Sequence, residues 1–205
     1  MSKAVMLSIR PKWCAKIIIG RKTMELRKSV PKLETPFKCY IYCTSGHPYI
    51  SVKGENLDRD TVRTNTVGRC NGKVIGEFVC DYILQRCEMA NADIAEQQSC
   101  VRREDIYFKY SEEGKHYIYG WHISNLKIYD APKKLGEFWR DCLEYSELST
   151  NCWSCENVCG DGDETHCNTD GRLYLHRPPQ SWCYVKEMKD DDYYGRNKPM
   201  VTCEL

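Results

Sequence analysis

The sequence predicts an α+β fold, a small mixed β-barrel with a few helices at its rim. Segments of strand type dominate the chain. Residues 73–84 (KVIGEFVCDYIL) and 117–129 (YIYGWHISNLKIY) are the longest, and both are rich in β-branched and aromatic side chains. Helical patterns are few and short, and strands do not alternate with helices as they do in a doubly wound sheet. A small barrel therefore fits the pattern best.

The first elements follow from residue spacing and from the residues that begin and end helices. Residues 6–9 form a short apolar run typical of a strand. Pro11 stands where helices commonly begin, apolar residues then recur at helical spacing, and Gly20 is typical of a helix end. A first helix is therefore predicted over residues 11–19.

The next segment alternates in strand fashion over residues 23–28. Met24 and Leu26 share one face, and Thr23, Glu25 and Arg27 share the other. The remaining predicted elements are strands over 38–43, 73–84, 117–129 and 181–186, helices over 90–98 and 102–110, and a helical turn over 136–143.

The connecting segments define the domain organisation. Residues 44–72 are polar and contain five glycine or proline positions, which predicts a long loop. Residues 146–171 are polar, acidic and rich in cysteine, which predicts an insertion. We expect one domain over residues 1–188 that carries this insertion, and a frayed tail over 189–205.

The charge of the chain is uneven along its length. Residues 1–32 carry nine basic side chains against one acid, Glu25, a balance of +8, so the rest must carry −7 to give the net charge of +1. This excludes a coat protein that is basic throughout, and it predicts a local basic site able to attract phosphate. The alternative is a solvated helix face with scattered lysines.

The composition indicates a globular protein, and the lack of a membrane span and of a signal peptide makes a cytoplasmic protein the expectation. Hydrophobic residues make up 41% and charged residues 29% of the chain, which excludes wholesale disorder. No run of about 18 apolar residues occurs, so we expect no membrane-spanning helix and no membrane partner. Residues 1–9 are too short and too soon interrupted for a signal peptide.

Fourteen cysteines is a high number for 205 residues. Secreted disulfide scaffolds are usually small and follow a signal peptide, and neither condition holds here. Most of the thiols are therefore expected to be reduced. Those in apolar or strand-like contexts are expected to be buried as small hydrophobic side chains: Cys14, Cys39, Cys43, Cys80, Cys87 and Cys183.

The basic N-terminal segment holds the most specific motif. It reads Ser8-Ile9-Arg10-Pro11-Lys12-Trp13 and, after the predicted helix, Gly20-Arg21-Lys22-Thr23-Met24-Glu25-Leu26-Arg27. Further pieces follow in order: Gly76-Glu77, Tyr119-Gly120-Trp121-His122-Ile123 and Pro178-Pro179-Gln180-Ser181-Trp182. The ordered set resembles the ASCH superfamily, with its strand, RP pair, helix and G-x-K-T-x-E-x-R, and the last piece is similar to phage-borne relatives. The resemblance covers most of the chain outside 44–72 and the insertion.

The resemblance implies a PUA-like β-barrel with a cleft beside the first helix that holds RNA or a modified nucleotide. The motif also makes sense as a site in its own right. Arg10 and Arg27 can clamp a phosphate or a base edge with paired N–H donors. Lys22 can contact phosphate, and Glu25 can accept a hydrogen bond from an exocyclic amine. The candidate ligand-binding residues are Arg10, Lys22, Thr23, Glu25, Arg27, Trp121, His122 and Ser124.

Simpler interpretations exist for two of these features. Glu25 and Arg27 can merely pair with each other along one strand face. Trp121 can offer a face for base stacking, or it can belong to the hydrophobic core.

The same resemblance implies an alternative enzymatic role. One branch of the family deacetylates N4-acetylcytidine, and other members have been proposed as ribonucleases. In the deacetylase branch a lysine and a threonine lie on the motif, and a carboxylate comes from a later helical segment. Lys22 matches the lysine, Glu25 stands at the threonine position, and the later acid falls near Gln98, with Glu96 as a stand-in. Lys22 and Glu25 are thus the candidate catalytic residues of a hydrolase.

The predicted insertion contains a possible structural zinc site. Cys152-x-x-Cys155 gives two thiolates the bite that Zn²⁺ requires, and Cys159 with Cys167 completes a four-ligand set, with His166 as the alternate ligand. Four protein ligands leave no open position, so such a zinc would be structural. The alternative is an unstructured thiol-rich loop.

Three functions remain open from the sequence. The first is a module that binds RNA or a modified nucleotide through Arg10, Lys22, Glu25 and Arg27. The second is a hydrolase that acts on RNA or an acylated nucleoside in the same cleft. The third is a protein-interaction adaptor that uses the cysteine-rich loop.

Overall fold

The computed structural model describes residues 2–51, 69–85, 92–109, 118–142 and 171–188. Within these ranges strands dominate and helices are few, so the predicted α+β class is confirmed. The strands are β1 (Lys3–Ile9), β2 (Met24–Arg27), β3 (Phe37–Cys43), β4 (Lys73–Cys80), β5 (Ile83–Leu84), β6 (Tyr119–His122), β7 (Ser124–Lys133), β8 (Trp139–Asp141), β9 (Arg172–Tyr174) and β10 (Trp182–Lys186). The helices are α1 (Pro11–Ile18), α2 (Ala92–Ser99) and α3 (Arg103–Lys109), with a 3-10 turn at Leu135–Glu137.

The strands form three sheets. The largest has the order β10-β1-β3-β4-β7, in which β1 and β3 are parallel and the other neighbours antiparallel. A second sheet has the order β2-β6-β5, and β8 pairs with β9. In the part of the chain that the structure describes, none of these sheets closes on itself. The observed architecture is therefore a set of packed open sheets.

The central sheet is buried on both faces. Along β1, Val5 and Leu7 lie in one cluster, with α1 and Trp121, while Ala4 and Met6 lie in a second cluster, with Phe138. Successive side chains of a strand point to opposite faces, so a strand covered on both sides is apolar without interruption. This explains the continuous burial along the middle of β1 and of β3.

A third cluster covers one face of the second sheet. Met24 and Leu26 of β2 pack there with Ala95 of α2 and Ile106 of α3. The predicted alternation along β2 is therefore confirmed, and Thr23, Glu25 and Arg27 are left for the opposite face. The strand is held between α2 and α3 on one side and the main core on the other.

Two long predicted strands are each broken in two. Residues 73–84 give β4 and β5, and the chain turns between them where Asp81 Oδ1 accepts a hydrogen bond from the Tyr82 N–H at 3.1 Å. The strand predicted over residues 117–129 corresponds to β6 and most of β7, which join different sheets. Asn125 near the break has a φ of 47°, in the left-handed region that Asn tolerates. Residues typical of strands stand on both sides of each break, so the sequence pattern does not show where one strand ends and the next begins.

The helical turn predicted over residues 136–143 is wrong in part. A 3-10 turn covers Leu135–Glu137, and the chain then enters β8, where Trp139 pairs with Tyr174 of β9. The pairing partner lies more than thirty residues away, beyond the predicted insertion, so local propensity does not report it.

The described cysteines are free thiols. Cys14, Cys39, Cys43 and Cys80 are buried as expected, Cys183 is half-buried, and Cys87 lies outside the described residues. Burial raises the pKa of Cys80 to about 12 and that of Cys183 to about 11. These thiols are therefore protonated near neutral pH and act as small apolar groups.

Gly76 of β4 lies opposite Ile128 of β7, and the β7 backbone passes close to it. A Cβ at this position would stand 2.4 Å from the Lys127 carbonyl oxygen and 3.1 Å from Ile128 Cα. Both are backbone atoms in a buried sheet, so neither can rotate away. We expect Gly76→Ala to lower the free energy of unfolding by about 2 kcal/mol, as overpacking does, measured by urea denaturation.

Gly136→Ala is the matched control. The nearest atom to a Cβ there is the Leu175 carbonyl oxygen at 3.9 Å, which is an ordinary contact. We expect this variant to unfold at nearly the wild-type urea concentration. Equal stability of the two variants would show that β4 and β7 do not approach so closely in solution.

Two further predictions from the sequence concern membrane-spanning helices, and the insertion with the C-terminal tail. None of the helices in the described ranges has both the length and the apolar character needed to cross a bilayer. Residues 146–170 of the predicted insertion and the tail 189–205 lie outside the described residues.

Candidate functional site

The turn between α1 and β2 places the motif. Gly20 has a φ of +71°, which suits glycine because it has no Cβ. The N–H groups of Gly20, Arg21 and Lys22 donate to carbonyl groups in the last turn of α1. These bonds satisfy carbonyl groups that have no partner within the helix. The chain is thereby redirected into β2 within a few residues.

Lys22, Glu25 and Arg27 form a buried chain of charges. Glu25 lies between the two cations, with Oε2 at 3.2 Å from Lys22 Nζ and Oε1 at 3.3 Å from an Arg27 guanidinium nitrogen. The side chains of Lys22, Glu25 and Arg27 are 2%, 7% and 13% exposed. Three charges taken out of water tolerate this only as a mutually paired set. The set carries a net charge of +1.

The C-terminal end of α2 holds this segment in place through main-chain groups. The Thr23 N–H donates to the Gln98 carbonyl at 2.9 Å, and Lys22 Nζ donates to the Ser99 carbonyl at 2.8 Å. Carbonyl groups at a helix end have no partner within the helix and carry partial negative charge. A lysine ammonium is therefore well placed there, and α2 fixes where Lys22 points.

Arg27 also reaches across to β1. One guanidinium nitrogen donates to the Ser8 carbonyl at 2.8 Å. Two polar atoms beside this bond, Arg27 Nε and Ser8 Oγ, are buried and have no hydrogen-bond partner among the described residues. Buried polar groups are normally paired with protein or with water. Partners from outside the described residues are therefore expected for these two atoms.

Three lysine ammonium groups lie near the indole ring of Trp13 in α1. The ammonium groups of Lys12, Lys16 and Lys22 lie 4.6, 5.0 and 5.2 Å from its ring centroid. Trp13 is half-buried and packs against the main core. Arg10, the residue before α1, is exposed, and it makes no ion pair with any described residue. Three of the four predicted charged residues are thus in one ion chain, and Arg10 stands on the surface outside it.

The predicted ligand-binding residues Trp121 and Ser124 are engaged in the packing and pairing of the strands. Trp121 is fully buried, pairs with Glu25 across the strands, and meets Phe37 edge to face at a centroid distance of 5.6 Å. It therefore presents no ring face to solvent. The Ser124 hydroxyl donates to the Val79 carbonyl at 2.8 Å and so joins β7 to β4.

His122 lies on the other face of the second sheet. It pairs with Met24, whose side chain packs towards α2. Its Nδ1 lies 2.6 Å from Asp81 Oδ1, and its ring stacks on Tyr82 at a centroid distance of 4.5 Å. Partial burial acts to raise the pKa of the Asp81 carboxyl, but the hydrogen bonds from His122 and from backbone N–H groups outweigh it, so the pKa lies below its usual value.

The predicted zinc ligands Cys152, Cys155, Cys159, His166 and Cys167 all lie outside the described residues. Within the described ranges, no group of three or more His, Cys, Asp or Glu side chains is arranged to hold a metal ion. The zinc site therefore stays a prediction from the sequence.

Sequence reasoning missed two contributors to the site. One is Trp13, which belongs to the motif but was given no role in the site, although lysines flank it at i−1 and i+3. The other is the end of α2, which acts through the carbonyl groups of Gln98 and Ser99. Every residue has a main-chain carbonyl group, so no sequence signal could have identified the carbonyl groups of Gln98 and Ser99 as part of the site.

No family model matches the chain, and neither does any curated protein. The chain is similar to the crystal structure of ASCH from Zymomonas mobilis, with 13% identity and a TM-score of 0.47, over 93% of this chain and 90% of that one. A serine-to-alanine mutant of the same protein gives 14% identity and a TM-score of 0.46, over 93% and 91% of the two chains. A tyrosine-to-phenylalanine mutant gives 17% identity and a TM-score of 0.41, over 65% and 77%. ASCH is also the family that the N-terminal motif resembles.

Proposed function

We propose that the protein binds RNA or a modified nucleotide through the basic surface formed by α1 and the segment Gly20 to Arg27. The proposal includes the PUA-like barrel that the resemblance of the motif to the ASCH superfamily implies. Arg27 and Arg10 make the ligand contacts in this proposal. Lys22 and Glu25 are almost wholly buried, so their role is to hold Arg27 in position.

One observation carries the proposal. Glu25 is the only acid among residues 1–32, and it is buried between Lys22 and Arg27. Its charge is therefore already neutralised. Arg10 and Arg21 are exposed and have no carboxylate partner among the described residues. Uncompensated cations on one surface attract phosphate, and the attraction weakens as salt rises.

The way in which Arg27 is held adds to this support. A guanidinium held by Glu25 and the Ser8 carbonyl has a fixed orientation, as recognition of a planar ligand edge requires. The hydrolase alternative needs Lys22 or Glu25 to act on a substrate. Both side chains are buried, and the Lys22 ammonium is already bonded to Ser99 and paired with Glu25, which favours binding over hydrolysis.

The test is salt-dependent binding of a short labelled single-stranded oligoribonucleotide, followed by fluorescence anisotropy between about 50 and 200 mM salt. We expect the logarithm of the association constant to fall linearly with the logarithm of the salt concentration. Arg10→Ala combined with Arg21→Ala should weaken binding about tenfold, since each exposed charge contact contributes modestly.

Arg102→Ala combined with Arg103→Ala is the matched control. It also removes two positive charges, but Arg102 and Arg103 are already ion-paired with Asp105 and Asp93. We expect the control to bind as the wild type does. No binding at the lowest salt, or equal losses in the two double variants, would contradict the proposed function.

A further inference from the structure

Three ammonium groups are gathered around one indole ring at the start of α1. Lys12, Lys16 and Lys22 all lie within 5.2 Å of the Trp13 ring centroid. Any two of them are therefore separated by no more than roughly one Debye length at 0.1 M salt, ~10 Å. Each contact with the negative ring face is favourable, but the three like charges repel one another.

Only one of the three charges is compensated. Lys22 is paired with Glu25 at 3.2 Å. Lys12 and Lys16 have no carboxylate partner among the described residues, and Lys12 is exposed to solvent. Glu25, the nearest acid in sequence, is itself neutralised by Lys22 and Arg27. The ring thus concentrates positive charge at a surface that contains nothing to balance it.

We propose that Lys12 and Lys16, positioned by Trp13, form a phosphate-binding site. This inference rests on the proposed function, because the site would take the phosphate while Arg27 contacts the rest of the ligand. Ammonium groups act as mobile point charges and suit the oxygens of phosphate, whereas the fixed guanidinium fork of Arg27 suits a planar edge. The indole binds no ligand in this scheme. It holds both ammonium groups within 5.0 Å of one ring centroid, and the flexible lysine side chains let both turn towards one phosphate.

Phosphate chemistry has two sources here, the phosphomonoester of a free nucleotide and the phosphodiester of an RNA backbone. Pyrophosphate and cytidine 5′-monophosphate probe the first source by calorimetry, and the labelled oligoribonucleotide probes the second by anisotropy. Tight binding of the monophosphate assigns a free nucleotide, and binding of the oligoribonucleotide alone assigns the backbone. Either result supports the site, provided that Lys12→Ala with Lys16→Ala weakens the binding of the probe that responded.

We expect the double variant Lys12→Ala, Lys16→Ala to bind the responsive probe about tenfold more weakly than wild type. If the oligoribonucleotide is that probe, the logarithm of the association constant should depend less steeply on the logarithm of the salt concentration. The magnitude of the slope should decrease by about 1.4, or about 0.7 for each lost contact to a single strand. The control is Lys127→Ala with Lys134→Ala, which removes two exposed charges at β7 and just beyond it. The control should leave affinity and slope near wild-type values.

Trp13 is tested separately because its role is positioning. Trp13→Leu should weaken binding of the responsive probe several-fold, and Trp13→Phe should restore most of it, because phenylalanine keeps a ring face. Circular dichroism checks that each variant is folded. If leucine and phenylalanine weaken binding equally while both fold, the indole does not position the lysines and this part of the proposal is overturned.

The two proposals fail in different ways. If Arg10→Ala with Arg21→Ala weakens oligoribonucleotide binding but Lys12→Ala with Lys16→Ala does not, the proposed function stands and the phosphate site is overturned. If pyrophosphate binds and depends on Lys12 and Lys16 while no nucleotide or RNA binds, the phosphate site stands and the proposed function is overturned. If the wild type binds none of the probes, both are overturned.

Discussion

Glu25→Gln is expected to lower the free energy of unfolding by about 3–5 kcal/mol, the cost of breaking a buried ion pair from one side. The carboxylate lies between Lys22 Nζ at 3.2 Å and an Arg27 nitrogen at 3.3 Å. Glutamine keeps the shape of the side chain and removes its charge. Two buried cations are then left facing each other without an anion, and this is the physical origin of the loss. Urea denaturation measures it.

Two control variants separate charge from packing. Glu34→Gln removes an exposed carboxylate a few residues further along, and its effect should stay within about 0.5 kcal/mol, as for most surface changes. Lys22→Met should cost less than Glu25→Gln, because Glu25 then keeps Arg27 as its partner. If Glu25→Gln unfolds at the wild-type urea concentration, the three side chains are not buried as a paired set in solution.

Trp121→Ala is expected to lower the free energy of unfolding by about 3–5 kcal/mol, the usual cost of removing a large aromatic core side chain. Trp121 is fully buried. It packs against Phe37 and Trp182 at centroid distances of 5.6 and 5.9 Å. Its loss opens a cavity in the cluster that it shares with Phe37 and Trp182, and the paired strands around it cannot fill this cavity by collapsing.

The same variant decides whether Trp121 stacks on a base. Denaturant unfolding gives the stability, and oligoribonucleotide binding is measured at low temperature, where the variant is still folded. We expect the affinity of the folded fraction to match that of wild type, because the indole has no exposed face. A variant of normal stability that no longer binds would instead assign Trp121 to base stacking, the other role considered from the sequence.

The α1–β2 unit could be predicted from the sequence because its signals are local. Pro11 begins the helix, Gly20 follows its end, and alternation places Glu25 and Arg27 on one face of β2. A helix start, a helix end and a period of two depend only on near neighbours in the chain. The pairing of Glu25 with Arg27, two residues apart on one strand face, follows in the same way.

The environment of that unit could not be predicted, because distant residues provide it. Ser99 lies 77 residues from Lys22, to which it contributes only a carbonyl oxygen. The burial of Trp121 depends on Phe37 and Trp182, which lie far from it in the sequence, one on each side. Residue type alone does not separate a tryptophan packed in a core from one that stacks on a base. His122 shows the same limit, since its face was fixed only by the pairing of β6 with β2.

The pairing of β1 has a consequence for biosynthesis. β1 lies between β3 and β10 in the central sheet, and β10 comprises Trp182–Lys186, at the far end of the described chain. An apolar strand with an open edge tends to pair with other chains. As the polypeptide leaves the ribosome, this edge of β1 stays open until Trp182–Lys186 has emerged. A stop codon just before Trp182 should therefore yield a product prone to self-association, even though every residue proposed to bind nucleic acid would be present.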